Sequence, residues 1–162
     1  MKQANLSTSP RIRAIETRYR GYRFRSRLEA RWAVFFDTLG VPYDYEPEGY
    51  ALPSGPYLPD FFLPRAANRG MWVEVKPADP QLLEGSKLSE LCDHTTRYGF
   101  FVCGVPSPHL RADMIHKEGG ALHSCWDEFV EMMLINDKNK TRDVGRALVA
   151  ARGARFEHGE QP

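Results

Sequence analysis

The stretch MWVEVKP, residues 71–77, decides the fold. Trp72, Val73 and Val75 favour a strand, and Pro77, with no amide proton to give a ladder, ends it. A strand over 71–76 is therefore predicted, apolar except for Glu74 and Lys76. Those two are two residues apart, so their side chains leave one face of a sheet while Val75 points to the other. A buried strand that carries a carboxylate and an ammonium incurs a desolvation cost, which points to function. The competing reading is a structural Glu–Lys pair on an exposed strand face.

Upstream, YLPDFFLP predicts a strand over 57–63 with Asp60 directly after Pro59, and another strand is predicted over 41–46. The turn-rich stretches PEGYALPSGP and AANRG separate the three. Before them, Leu28, Trp32, Phe35, Phe36 and Leu39 recur at helical spacing and predict a helix over 27–39. Ser26 serves as its N-cap, Glu29 stands at the third helical position as in a capping box, and Gly40 stops it ahead of Pro42. Downstream, a helix is predicted over 81–97, with Leu82, Leu83, Leu88, Leu91 and Cys92 inward. A strand over 100–105 follows and lacks alternation, so it should be buried on both faces. Helices over 126–136 and 141–152 complete the chain. The order is helix, three strands, helix, strand, which defines an α/β fold with a mixed central sheet flanked by helices and extra C-terminal helices. Residues 1–20 read as a basic, partly disordered arm, 21–137 as the core, and 138–162 as a basic C-terminal helix and tail.

At 162 residues and 42% hydrophobic, the chain can build one real core. No apolar run approaches the roughly 18–20 residues of a membrane span. The start, MKQANLSTSPRIR, lacks the apolar stretch of a secretory signal, so a cytoplasmic protein with no membrane association is expected. Three cysteines without a CxxC pair argue against a disulfide framework. Cys92, His94, His123 and Cys125 have ligand types suited to zinc, but not the usual structural zinc spacing. The net charge of +1 conceals a one-sided start, where Arg20, Arg23, Arg25, Arg27 and Arg31 are interleaved with Tyr19, Tyr22 and Phe24. A solvated charged face is the plain reading. Arginine dominance and the interleaved aromatics favour a phosphate-backbone surface instead, with Lys87 as an extra contact.

Two neighbouring strands can bring Asp60, Glu74 and Lys76 to one sheet end. Two carboxylates and the Val75 carbonyl make a hard-oxygen set suited to Mg²⁺, with Mn²⁺ as a substitute. Such an ion polarises a phosphoryl group and lowers the pKa of an attacking water. Lys76 would meet the negative charge of the transition state, and neighbouring carboxylates favour this positioning role over that of a base. Glu29 would ligate a second metal or hold a water, or else merely close its helix. His94, His109, His116, His123 and His158 lie away from these motifs and read as structural or exposed.

RSRLEARWAVFF, YLPDFFLP and MWVEVKP resemble the three motifs of the PD-(D/E)xK nuclease superfamily, across roughly residues 20–105. Pro59–Asp60 matches its PD, Glu74–Val75–Lys76 its ExK, and Glu29 the acidic residue of its first core helix. The stretch is similar to small phage and bacterial nuclease-like proteins of this superfamily. Pro77 departs from the small residue that many members carry after the lysine, and no QxxxY helix motif is found. The resemblance implies a restriction-endonuclease-like αβββαβ core and a Mg²⁺-dependent DNA endonuclease that hydrolyses phosphodiester bonds. Its catalytic residues would be Glu29, Asp60, Glu74 and Lys76, and its metal ligands Asp60, Glu74, Val75 and Glu29. With no room for a reading domain, structure-specific or partner-directed cutting is expected, with a homodimer suited to duplex DNA. The alternatives are a catalytically silent nuclease fold that binds DNA or a protein, and an RNA-directed enzyme using histidine without metal.

Overall fold

In a computed structural model, residues 14–77, 87–115, 121–124, 126–136 and 143–156 are described. The chain enters through a hairpin, β1 (Thr17–Tyr19) and β2 (Tyr22–Phe24), turned at Arg20 and Gly21, both at positive φ. The expected boundary between arm and core at residue 20 therefore falls inside a hairpin, and Tyr19 and Phe24 are buried in the core.

Helix α1 spans Arg27–Leu39, as its periodicity predicts. The Ser26 side chain accepts from the Glu29 amide at 3.1 Å, and Gly40 closes the helix in the left-handed region. The amides of Gly40 and Val41 satisfy the carbonyls of Asp37 and Phe36 at 2.9 Å each. Trp32, Phe35 and Phe36 are fully buried.

The strands that follow are shorter than expected. The 41–46 segment gives only β3 (Asp44–Tyr45). The 57–63 segment is split: β5 (Gly55–Tyr57) pairs with β4 (Tyr50–Leu52) in a separate hairpin, and β6 (Phe61–Leu63) enters the main sheet. Pro59 lies in the break, where it can supply no ladder hydrogen bond. Strand β7 (Met71–Lys76) has the predicted bounds. The described part of the second helix, α2, covers Lys87–Thr95; Leu82 and Leu83 lie outside the described residues. Strand β8 covers Tyr98–Cys103, and two strands not expected from the sequence, β9 (Ala112–Ile115) and β10 (Ala121–Ser124), extend the sheet. Helices α3 (Trp126–Leu134) and α4 (Val144–Gly153) follow, the latter capped by Asp143.

The main sheet runs β10-β9-β8-β7-β6-β3; β7 and β8 are parallel and the other pairs antiparallel. One core holds α1, Phe61, Val73, Val75, Phe100, Phe129 and the buried alanines Ala147 and Ala151 of α4, which packs along α1. The C-terminal helix is thus part of the core rather than an appendage. A second core gathers Leu52, Trp72 and Phe101 with Leu88, Leu91 and Cys92 of α2. The result is a mixed α/β arrangement with helices on both sheet faces. Among the described residues no helix is long and apolar enough to cross a membrane.

The β6–β7 turn ends at Gly70, at φ +85°, where an added Cβ would lie 2.3 Å from the Phe62 ring. Gly70→Ala combines left-handed strain with a clash, and should destabilise the fold by roughly 2–4 kcal/mol. A thermal melt checks this; an unchanged midpoint would contradict it.

Candidate active site

The antiparallel register pairs Phe61 with Val73 and Phe62 with Trp72. Continued by one residue, it sets Asp60 across from Glu74. Trp72 faces the α2 side, so Glu74 and Lys76, two and four residues on, face that side as well. The expected meeting of Asp60, Glu74 and Lys76 is what the fold builds. Lys76 Nζ donates to Glu74 Oε1 at 2.5 Å, and the Asp60 amide to Glu74 Oε2 at 3.4 Å. The Val75 amide donates to Asp60 Oδ2 at 2.8 Å. Asp60 and Glu74 are only 4% and 5% exposed, which places the pair out of bulk water.

Three partners were not legible in the sequence as site residues. The Tyr57 hydroxyl donates to Glu74 Oε2 at 2.7 Å, from the hairpin strand β5 rather than the main sheet. Burial and the charge of Glu74 raise its pKa well above the ordinary tyrosine value, so it stays a neutral donor. Arg25, expected only as a DNA contact, donates to Asp60 Oδ1 at 2.8 Å and pairs with Glu46 through its Nε. Tyr45 donates to Glu29 Oε2 at 2.6 Å. Tyr57, three residues before Asp60, would face the opposite side of a continuous strand, so spacing gives no signal for the first. The other two depend on packing of distant segments.

Burial, then the charges of Glu74 and Glu29, push the Asp60 carboxyl up to about 8, against the Val75 amide and Lys76. Arg25, half in solvent and shared with Glu46, does not reverse this. The folded pKa lies above the unfolded value, so Asp60 favours folding in acid, and that contribution is lost progressively as pH rises from the ordinary value of 3.8 to about 8. In EDTA, Asp60→Asn should therefore gain stability over the wild type as pH is raised across this window. Parallel melting curves that keep a constant gap would contradict it.

Glu29 stands in the first turn of α1, and its oxygens are engaged with the helix entrance. Oε1 accepts from Ser26 Oγ at 2.7 Å, and Oε2 from the Arg25 amide at 3.1 Å as well as from Tyr45. It closes the helix, as the capping reading expects, and its charge is also felt at Asp60. The expected DNA contacts disperse. Arg20 pairs with Asp37 at 3.5 Å, Arg23 with Glu16, and Arg31 donates to the Arg152 carbonyl at 3.1 Å. Lys87 donates to the Pro56 carbonyl at 2.7 Å, and Arg27 is half-buried near the start of α1. Within this group, Arg25 is tied to Asp60 by a hydrogen-bonded ion pair. Cys92 is a buried free thiol, and Cys125 of the zinc-type set lies outside the described residues.

Among the described residues, no three His, Cys, Asp or Glu side chains are grouped as a ready cage for a metal ion. Mg²⁺ needs less, since it keeps waters and takes one or two carboxylates with substrate oxygens. Two buried carboxylates, with the Asp60 amide donating to Glu74 and the Asp60 carboxyl held up in pKa by burial and then by Glu74, have the donor chemistry such an ion fits. Comparison with protein-family models, curated proteins and solved structures finds no match for this chain.

Proposed function

We propose that the chain is a metal-dependent DNA endonuclease of the PD-(D/E)xK type, hydrolysing phosphodiester bonds at Asp60, Glu74 and Lys76. The observation that carries this reading is the burial of Asp60 and Glu74 side by side, with Lys76 bound to Glu74, at the rim of a sheet. Asp60, Glu74 and the Val75 carbonyl, with Glu29 alongside, would hold Mg²⁺ or Mn²⁺, which supplies polarisation of the phosphoryl group and a lowered water pKa.

In the reaction, water adds to phosphorus and one ester P–O bond breaks. Lys76, 28% exposed at its side chain, is fixed by Glu74 and can meet charge that grows on the phosphoryl oxygens. Tyr57 holds Glu74 from the other side, and Arg25 holds Asp60 while its outer half remains open to a backbone phosphate. Specificity would come from DNA structure or a partner protein, and a homodimer would serve duplex cutting. The second reading, a silent nuclease fold that binds DNA or a protein, draws on the mutual satisfaction of these polar groups by Arg25, Tyr57 and Val75. Labelled single-stranded, duplex, flapped and four-way-junction DNA incubated with Mg²⁺, Mn²⁺ or EDTA separates the two. Cutting only with metal is expected; binding without cutting in any condition would favour the silent fold.

A further inference from the structure

A cavity of about 390 Å³ opens at the C-terminal end of β8, lined by Cys103, Val105, Ser107, His109, Leu110 and Arg111. Its size falls within the roughly 300–1,000 Å³ of small-molecule sites. It adjoins the acidic cluster through the backbone. Cys103 stands opposite Lys76 in the parallel register, and the Gly104 amide donates to the Lys76 carbonyl at 2.8 Å. Both sites thus lie at the carboxyl ends of the parallel pair β7–β8, where open α/β sheets place ligands.

The walls combine two chemistries. Val105 is exposed and Leu110 buried, giving an apolar side, while His109, an exposed imidazole, is among the lining residues. Arg111 is 42% exposed and is steadied by Asp113 at 2.8 Å; the Ser107 hydroxyl accepts from the His109 amide at 3.3 Å. An apolar wall, a ring able to stack and a guanidinium match a base joined to a phosphate. A base within a duplex stack cannot enter such a cavity without leaving the helix, whereas an unpaired one can.

We propose that this cavity binds one unpaired nucleotide of the substrate strand next to the bond cut at Lys76, so that the chain prefers single-stranded or frayed DNA. The inference rests on the nuclease reading for its placement, but binding alone tests it. Anisotropy of a labelled oligothymidylate and of a blunt hairpin duplex is measured with the full chain in EDTA, where nothing is cut. Single strand should bind about tenfold more tightly than duplex, in line with the contribution of one stacked base. His109→Ala removes the ring and Val105→Glu sets a carboxylate at the mouth; both alter exposed positions, and both should erase the preference. Equal affinity for the two DNAs, or a preference that both variants keep, would overturn the proposal. Cutting in Mg²⁺ is scored separately. A preference that depends on the pocket, in a chain that cuts nothing, leaves the pocket standing and removes the nuclease reading. Cutting without that preference does the reverse.

Discussion

Lys76→Met is expected to leave a folded chain that cuts DNA about a hundredfold to a thousandfold more slowly, the scale of losing a group aimed at the charge of a transition state. Methionine keeps most of the apolar stem and removes only the ammonium. Glu74 loses one partner at 2.5 Å but keeps the Tyr57 hydroxyl at 2.7 Å, so the fold should survive with modest destabilisation. Initial rates at saturating Mg²⁺, beside a melting curve for each protein, check the two halves together. Activity within a few-fold of wild type would show that Lys76 is only the structural partner of Glu74.

The second large effect lies away from the carboxylates. Trp32 is fully buried on α1, with Phe35, Phe36, Trp126 and Phe129 around its ring at centroid distances of 5.6 to 6.3 Å. Its indole also donates to the Gly104 carbonyl at 3.0 Å, and Gly104 is bonded to Lys76 through its own amide. Trp32→Ala empties the centre of the core and should cost roughly 3–5 kcal/mol. Trp32→Phe keeps most of the packing and loses the hydrogen bond, for about 1 kcal/mol. Denaturant midpoints at constant m-value measure both. A loss below about 1 kcal/mol in the alanine variant would mean that this cluster does not anchor α1 to the sheet.

What could be read in advance followed from local chemistry. The ends of α1 were set by Ser26 and Gly40, and those of β7 by Val73, Val75 and Pro77, because caps and breakers act within a few residues. Asp60, Glu74 and Lys76 could be placed on one face because strand alternation and neighbouring order suffice. The sequence does not signal β9, which is four residues long and contains the buried Asp113, whose partner Arg111 hides the polar interruption only in three dimensions. The β4–β5 hairpin was hidden in a run rich in proline and glycine that reads as turn. Tyr57 reaches the carboxylates from the β4–β5 hairpin, and Arg25 from the link between the β1–β2 hairpin and α1. Their roles depend on where those hairpins land, which no periodicity encodes. The arginines of the N-terminal part were legible as a charge excess, yet their ion pairs with Asp37, Glu16 and Glu46 depend on the folded surface.

The most direct test of the central claim compares wild type with Glu74→Gln, purified side by side, on labelled DNA in Mg²⁺. Glutamine keeps the shape and an oxygen for the Tyr57 hydroxyl, but removes the charge that binds Lys76 and would bind the metal. Metal-dependent cutting by the wild type, lost in the variant while its melting midpoint is retained, is the predicted result. Equal cutting by the two proteins would contradict it and place the chemistry elsewhere.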